Sequence, residues 1–285
     1  MKILIVGCGD TGERLARLHE AAGDTVQSTT RSVERHNKLQ TLKLATERLD
    51  LDHPPSSVQL SPADSIIMLV PPSGNGSHDP RMATLLQLIE QVGLPRRFVY
   101  ISTTGVYGDC GGEWVTEASP RQPHSQRAWR RAAAEQQLEI WAARMAVELV
   151  ILRVPGIYGP GRLPLARLER GDPVLHTNEA PWSNRIHIED LATACVLAGT
   201  HPDAHGVYNV TDGQPTTMTD YFNQVADVCG LARPPQISRA EAEECFSANM
   251  LSFLNESRRI DNTRLRKELG LQLKYPDLAS GLAAS

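Results

Sequence analysis

Short apolar runs alternate with stretches of helical periodicity through the first half of the chain, a pattern that builds βαβ units around a parallel sheet. Strands are predicted at Lys2–Val6, Thr25–Thr29, Ser65–Val70, Phe98–Ser102 and Leu149–Arg153. The run Ile66-Ile67-Met68-Leu69-Val70 is apolar at every position. It lacks the alternation of a half-exposed strand and predicts one covered on both faces. Between the strands, Leu15, Leu18 and Ala22 share one face of a first helix that ends near Gly23. Ala134, Leu138, Trp141 and Met145 make a second stripe at helical spacing, which assigns Trp141 to core packing. Pro71, Pro72, Gly74 and Gly76 mark Val70–Ser77 as a loop after the fourth strand, at the carboxyl edge where ligands of such sheets sit. Composition changes after Gly161. Helices are predicted at Glu189–Ala198, Thr219–Val228 and Arg264–Gly270, with a strand at Val207–Val210.

Bulk properties narrow the functional classes. The chain has 285 residues, 41% hydrophobic and 22% charged, as in a soluble globular protein. A net charge of -4 gives no broad attraction to nucleic acid or to an anionic membrane, so neither is expected as a partner. No stretch approaches the ~20 apolar residues of a membrane helix. The opening MKILIVGCGD reads as a strand, because its apolar run stops at Gly7 without a cleavage-like site. The five cysteines include no close pair, which signals neither a zinc site nor a disulfide framework. A cytoplasmic protein with reduced thiols and no metal is the expectation.

Chemistry first shows at Gly7-Cys8-Gly9-Asp10-Thr11-Gly12, a GxGxxG directly after a strand and before a helix. Its glycines serve a tight turn, close backbone approach to a diphosphate, and close helix–strand packing. The helix start then offers free amides and the positive end of its dipole. An NAD-selective site places an acid at the end of the second strand. Here that stretch reads Ser28-Thr29-Thr30-Arg31-Ser32, so Arg31 is expected to pair with a 2′-phosphate, favouring NADP(H) over NAD(H), with Arg35 assisting one turn later. Asp50 and Leu51 suit the adenine edge, and Val70, Pro71 and Pro72 the loop beside the cofactor.

Four further stretches follow in order: Ile101-Ser102-Thr103-Thr104-Gly105-Val106-Tyr107-Gly108-Asp109, Leu152-Arg153-Val154-Pro155-Gly156-Ile157-Tyr158-Gly159-Pro160-Gly161, Asn184-Arg185-Ile186-His187-Ile188-Glu189-Asp190-Leu191-Ala192, and Gly206-Val207-Tyr208-Asn209-Val210. With the glycine loop they resemble the extended short-chain dehydrogenase/reductase superfamily, in its nucleoside-diphosphate-sugar epimerase/dehydratase-like branch. The resemblance implies an α/β fold, a doubly wound Rossmann sheet of about seven strands with a small C-terminal substrate lobe. Residues 1–160 would form the dinucleotide-binding domain and 161–285 the lobe, with a segment around 186–210 returning to the sheet. It also implies that Thr103 hydrogen-bonds the reacting oxygen and that Pro155 and Gly156 lie at the nicotinamide end. Tyr158, Arg162, Trp182, Arg185 and His187 would face a small-molecule substrate: a sugar, sugar nucleotide or small carbonyl compound. The helix Arg127–Met145 commonly forms a two-helix dimer face in this superfamily, which makes a homodimer one candidate assembly and leaves the oligomeric state open.

One departure bears on the reaction. The family carries a YxxxK pair whose tyrosine is acid and base, and alignment through Glu135 puts Arg127 at the Tyr position and Arg131 at the Lys position. No tyrosine lies between Tyr107 and Tyr158 that a slip of alignment would restore. Arginine stays protonated and only donates, so Arg127 cannot abstract a proton. Sitting at i and i+4, the two arginines share a helix face and would clamp an anion together, or form a solvated basic face. Tyr107, Tyr158, His124, His187 and Glu113 are the remaining candidates for proton transfer. Two readings stay open: an oxidoreductase or epimerase/dehydratase-like enzyme with an altered proton donor, and a binding protein that senses NADP(H) or a metabolite without turnover.

Overall fold

The computed structural model describes residues 1–54, 59–74 and 76–285. Asn75, inside the predicted loop Val70–Ser77, lies outside them. Seven strands form one parallel sheet: β1 (Lys2–Val6), β2 (Thr25–Thr30), β3 (Thr46–Arg48), β4 (Ser65–Met68), β5 (Arg97–Thr103), β6 (Glu148–Val154) and β7 (Gly206–Asn209). Their order is β7-β6-β5-β4-β1-β2-β3. All pairings are parallel, with Ile5 opposite Ser28 on one side and Ile67 on the other.

Alternation along each strand sends side chains into two cores. Ile3, Ile5, Ile67, Val99 and Val150 face one layer, formed by α1 (Asp10–Ala21) and α5 (Ile188–Thr200). Leu4, Val6, Ile66, Met68, Phe98 and Tyr100 face the other, formed by α3 (Pro80–Val92) and α4 (Gln126–Met145). The uninterrupted apolar run of β4 is thus explained by burial on both faces. Its strand stops at Met68, two residues before the predicted end. The buried face of α1 is Gly12, Leu15, Ala16 and His19, whereas Leu18 is 42% exposed. The predicted stripe was therefore one step out of phase, because His19 is buried through its hydrogen bond to Asp24 (2.7 Å).

A short helix α2 (Val33–Thr41) joins β2 to β3. Beyond β6 the chain enters a lobe with Tyr158 and Leu168, returns to the sheet through α5 and β7, and then re-enters the lobe with Tyr221, Phe222 and Leu278. The lobe carries α6 (Met218–Cys229) and α7 (Ala248–Leu254). Two-residue strand pairs tie it down, among them Trp182–Ser183 with Thr216–Thr217. Among the described residues no helix is long and apolar enough to cross a membrane.

Candidate active site

The strand order reverses between β1 and β4, and in open parallel sheets this switch point opens a crevice at the carboxyl ends. Gly7 leaves β1 with φ +93°, and a Cβ there would lie 2.6 Å from Val70 Cγ2. Gly12 brings α1 against the sheet: a Cβ would stand 3.3 Å from Leu69 Cδ1, Cys8 Sγ and the Gly7 carbonyl. Gly9 caps α1 without a side chain, so the first-turn amides of Asp10, Thr11 and Gly12 have no acceptors among the described residues. A cavity of 320 Å³ opens there, lined by Gly7, Gly9, Arg31, Asp50, Leu51, Val70 and Pro71 among others. Pro72 does not line it; its carbonyl accepts a long bond from Arg81 (3.5 Å). The Cys8 thiol is buried beneath the loop, so only its backbone faces this region.

Arg31 is 65% exposed and makes one loose contact with Asp52 (3.4 Å). Asp52 is held chiefly by Arg81 (2.6 and 2.7 Å), whose guanidinium keeps its carboxyl below the usual range. Arg35, expected to assist Arg31, turns the other way. It donates to the Cys8 carbonyl (3.1 Å), the Gly9 carbonyl (2.8 Å) and Glu13 (2.8 Å), bracing the glycine loop from behind.

A second cavity, of 430 Å³, lies between the ends of β5 and β6 and the lobe. Thr103, Gly105, Arg127, Pro155, Gly156, Trp182 and Arg185 reach it, as do Arg167, Tyr221, Phe253 and Arg258. Thr103 Oγ1 accepts from the Gly105 amide (3.1 Å), which leaves its own hydrogen free to donate. Arg127, from the first turn of α4, donates to Asn249 Oδ1 (3.3 Å) and Ser252 Oγ (3.1 Å) and stacks on Phe253 at 3.6 Å. Arg185 stacks on Tyr221 at 4.2 Å and donates to the Asn184 carbonyl (2.8 Å). Burial pulls the pKa of both arginines down, yet guanidinium stays cationic at any physiological pH.

Several predicted site residues stand elsewhere. Arg131 donates to Tyr100 Oη (3.1 Å) and the Ile101 carbonyl (2.5 Å) at the end of β5 and does not line the cavity. The shared clamp with Arg127 does not form, because each guanidinium is engaged by a different element. Tyr107 is buried, donating to Asn209 Oδ1 (2.7 Å) beneath Arg153. Tyr158 is buried too, and donates to the Asp277 carbonyl (3.2 Å). His187 caps α5 by accepting from the Glu189 amide (3.3 Å), wedged between Tyr158 and Tyr275. Burial lowers its pKa, so it is a neutral capping group. Arg162 reaches back to Asp10 at the glycine loop (3.0 Å) and leaves the cavity to other side chains. His124 and Glu113 are exposed and line neither cavity. Glu135, the alignment anchor, is fully buried and accepts from Arg153 (3.2 and 2.7 Å) and Ser102.

Tyr221, Arg167, Phe253 and Arg258 were not singled out from the sequence. The helix Thr219–Val228 was legible, but nothing in its periodicity distinguishes a residue lining a cavity from one filling the lobe core. Tyr221 does both.

A doubly wound sheet, a glycine turn at its switch point and a lobe closing over β5 and β6 define a nucleotide-binding α/β class. The chain belongs to the NAD dependent epimerase/dehydratase family, whose model matches residues 3–211. It is similar to Protein YeeZ of Escherichia coli (strain K12), 27% identical over 97% of each chain. Among solved structures it is similar to a functionally unknown conserved protein from Silicibacter pomeroyi, 32% identical with a TM-score of 0.85, covering 99% of this chain and 97% of that one. A UDP-glucuronic acid 4-epimerase from Bacillus cereus in complex with NAD shares the fold at 18% identity, with a TM-score of 0.79 over 100% of this chain and 97% of that one.

Proposed function

We propose that the protein is a nicotinamide-dinucleotide-dependent oxidoreductase or epimerase-like enzyme for a polar small molecule, with NADP(H) preferred. The observation that carries this reading is the pair of cavities along one sheet edge. The unpartnered amides of Asp10, Thr11 and Gly12 suit a diphosphate, and the 320 Å³ cavity beside Asp50 and Leu51 suits an adenosine. When bound, the dinucleotide supplies or accepts hydride. Pro155 and Gly156, in the second cavity, shape its nicotinamide end.

In this reading Thr103 donates a hydrogen bond to the reacting oxygen. Tyr221 takes the proton-donor part left open by Arg127, since it is the phenol that lines the cavity and its hydroxyl has no hydrogen-bond partner among the described residues. Burial raises its pKa, so Tyr221 holds its proton at neutral pH and acts as the acid of a carbonyl reduction.

Preference for NADP(H) rests on Arg31, exposed at the rim of the first cavity and only loosely held by Asp52. NADPH is expected to raise the melting temperature more than NADH by mass action. Arg31→Ala is expected to lower the affinity for NADPH roughly tenfold and leave that for NADH unchanged. Equal binding of both nucleotides by the unaltered chain would overturn the preference. A sensor without turnover is the second reading, favoured by the fixed contacts of Arg127 with α7. Oxidation of NADPH by any carbonyl substrate would exclude it.

A further inference from the structure

We propose that the substrate of this cavity carries a carboxylate or phosphate group, held between Arg127 and Arg185 beside the carbon that reacts. The idea rests on the reading of the cavity as the reaction site, and adds the chemical class of what enters it.

Four guanidinium groups line the cavity: Arg127, Arg167, Arg185 and Arg258. Two are matched by carboxylates, Arg258 by Glu256 (2.9 Å) and Arg167 more loosely by Asp172 (3.6 Å). Arg127 and Arg185 have no carboxylate within ion-pair distance among the described residues. Arg127 has two neutral side-chain acceptors and an aromatic face; Arg185 has one carbonyl and an aromatic face. A guanidinium has five N–H donors, so most of those on Arg185 remain unused. Withdrawing a cation from water without a directly paired counter-charge is costly, and flat aromatic stacking offsets part of that cost only. Glu256, which also lines the cavity, acts on Arg127 and Asp212 acts on Arg185, each at longer range than an ion pair, so an oxyanion entering the cavity would supply the direct charge contact and the missing acceptors together.

Position fixes where on the substrate that group must sit. A Cβ on Gly156 would fall 2.9 Å from Arg185 Nη1, so this guanidinium lies directly against the Pro155–Gly156 turn. Arg127 reaches the same cavity from the first turn of α4. The residue after it, Ala128, lies so close to Gly105 that a Cβ on Gly105 would be 3.6 Å from Ala128 Cβ and 3.4 Å from Thr103 Oγ1. Arg185 thus lies against the end of β6, α4 packs its first turn against the end of β5, and both arginines line the cavity that Thr103 also lines. A distant acidic group on a long substrate would bypass them, whereas a compact oxo acid, hydroxy acid or phosphorylated sugar would engage both.

The test is isothermal titration of the whole chain, without nucleotide, using malonate and inorganic phosphate as separate probes at low ionic strength and glucose as the uncharged control. At least one anion is expected to bind once per chain and to weaken with added salt, while glucose gives no saturable heat. Arg127→Gln and Arg185→Gln should each lower the anion affinity roughly tenfold or more. Malonate without phosphate assigns a carboxylate, and the reverse assigns a phosphate. Absence of binding by both anions, or binding that neither substitution weakens, overturns the proposal. Among the described residues the Arg127 guanidinium hydrogen-bonds and stacks only on α7 side chains, so its variant keeps the sheet cores intact and tests the idea even where Arg185→Gln misfolds. NADPH titrated separately isolates the other failure. If nucleotide binds and neither anion does, the substrate class alone is wrong; if anions bind and nucleotide does not, the enzyme reading falls and the anion site stands.

Discussion

The glycine-loop cavity and the arginine cavity open along the same edge of the sheet, yet they are built from different material. The first is mostly backbone: a positive-φ glycine, a capped-by-nothing helix start and loop residues after β3 and β4, with the arginine beneath it spent on carbonyls. The second is mostly side chains, delivered by β5, α4, the segment after β6, the stretch Trp182–Arg185, α6 and α7. Backbone recognises a feature common to many ligands, here a diphosphate, whereas converging side chains discriminate among them. On the alignment through Glu135, Arg127 is expected where the family carries its tyrosine, and the contrast would then separate a kept dinucleotide frame from a changed substrate side.

Substituting the backbone cavity should give the largest effect. Gly7→Ala places a Cβ 2.6 Å from Val70 Cγ2 at a φ of +93°, adding strain to overlap. Left-handed strain and overpacking together are expected to cost about 3 kcal/mol of stability, with NADPH binding lost. Chemical denaturation and NADPH fluorescence would measure both, and an unchanged nucleotide affinity would show that the loop is not a nucleotide cradle. The side-chain cavity should respond in the opposite manner. Tyr221→Phe keeps the ring under Arg185, so fold and NADPH binding should persist while turnover falls roughly 100-fold. Turnover within twofold of the parent would remove Tyr221 as proton donor.

The same contrast explains what could be read from the sequence. The glycine loop is local, six consecutive residues between a strand and a helix, and each glycine has a steric reason that survives without knowledge of the fold. Cys8 and Asp10 illustrate the limit even there: one points its thiol into the core, and the other is tied to Arg162 from across the cleft. Motif position did find Thr103, Trp182 and Arg185 in the second cavity, because strand ends fix where a residue emerges. It failed for Tyr158 and His187, which flank the correct strands but point inward to fill the joint between lobe and sheet. Direction is set by packing partners such as Tyr275 and Asp277, more than a hundred positions from Tyr158 and close to ninety from His187. Tyr221 and Arg258 carry no local signal for the same reason.

Carboxyl groups beside the two cavities, lining neither, also differ in how they hold protons, and this difference is the subtlest to break. Asp52, at the nucleotide end, lies below the usual range because Arg81 grips it. Asp212, behind Arg185 on the substrate side, is pushed up to about 7 by burial, opposed by the Gln214 amide on Oδ1 (2.9 Å) and by the charge of Arg185. Its Oδ2 has no hydrogen-bond partner among the described residues, and Asp190 and Asp277 add to the rise. Because the folded chain keeps this proton after the unfolded chain has released it, the Asp212 contribution to stability falls as pH rises from about 4 to about 7 and is level above that. The slope is at most about 1.4 kcal/mol per pH unit for one proton. Asp212→Asn retains the acceptor for Gln214 and cannot ionise, so its stability relative to the parent should climb through the same window and then stay constant. Denaturant unfolding of the pair at about pH 5, 6, 7 and 8 measures the gap directly. A gap that does not change with pH would give Asp212 an ordinary carboxylate pKa, and the substrate side would then hold its acids no differently from the nucleotide side.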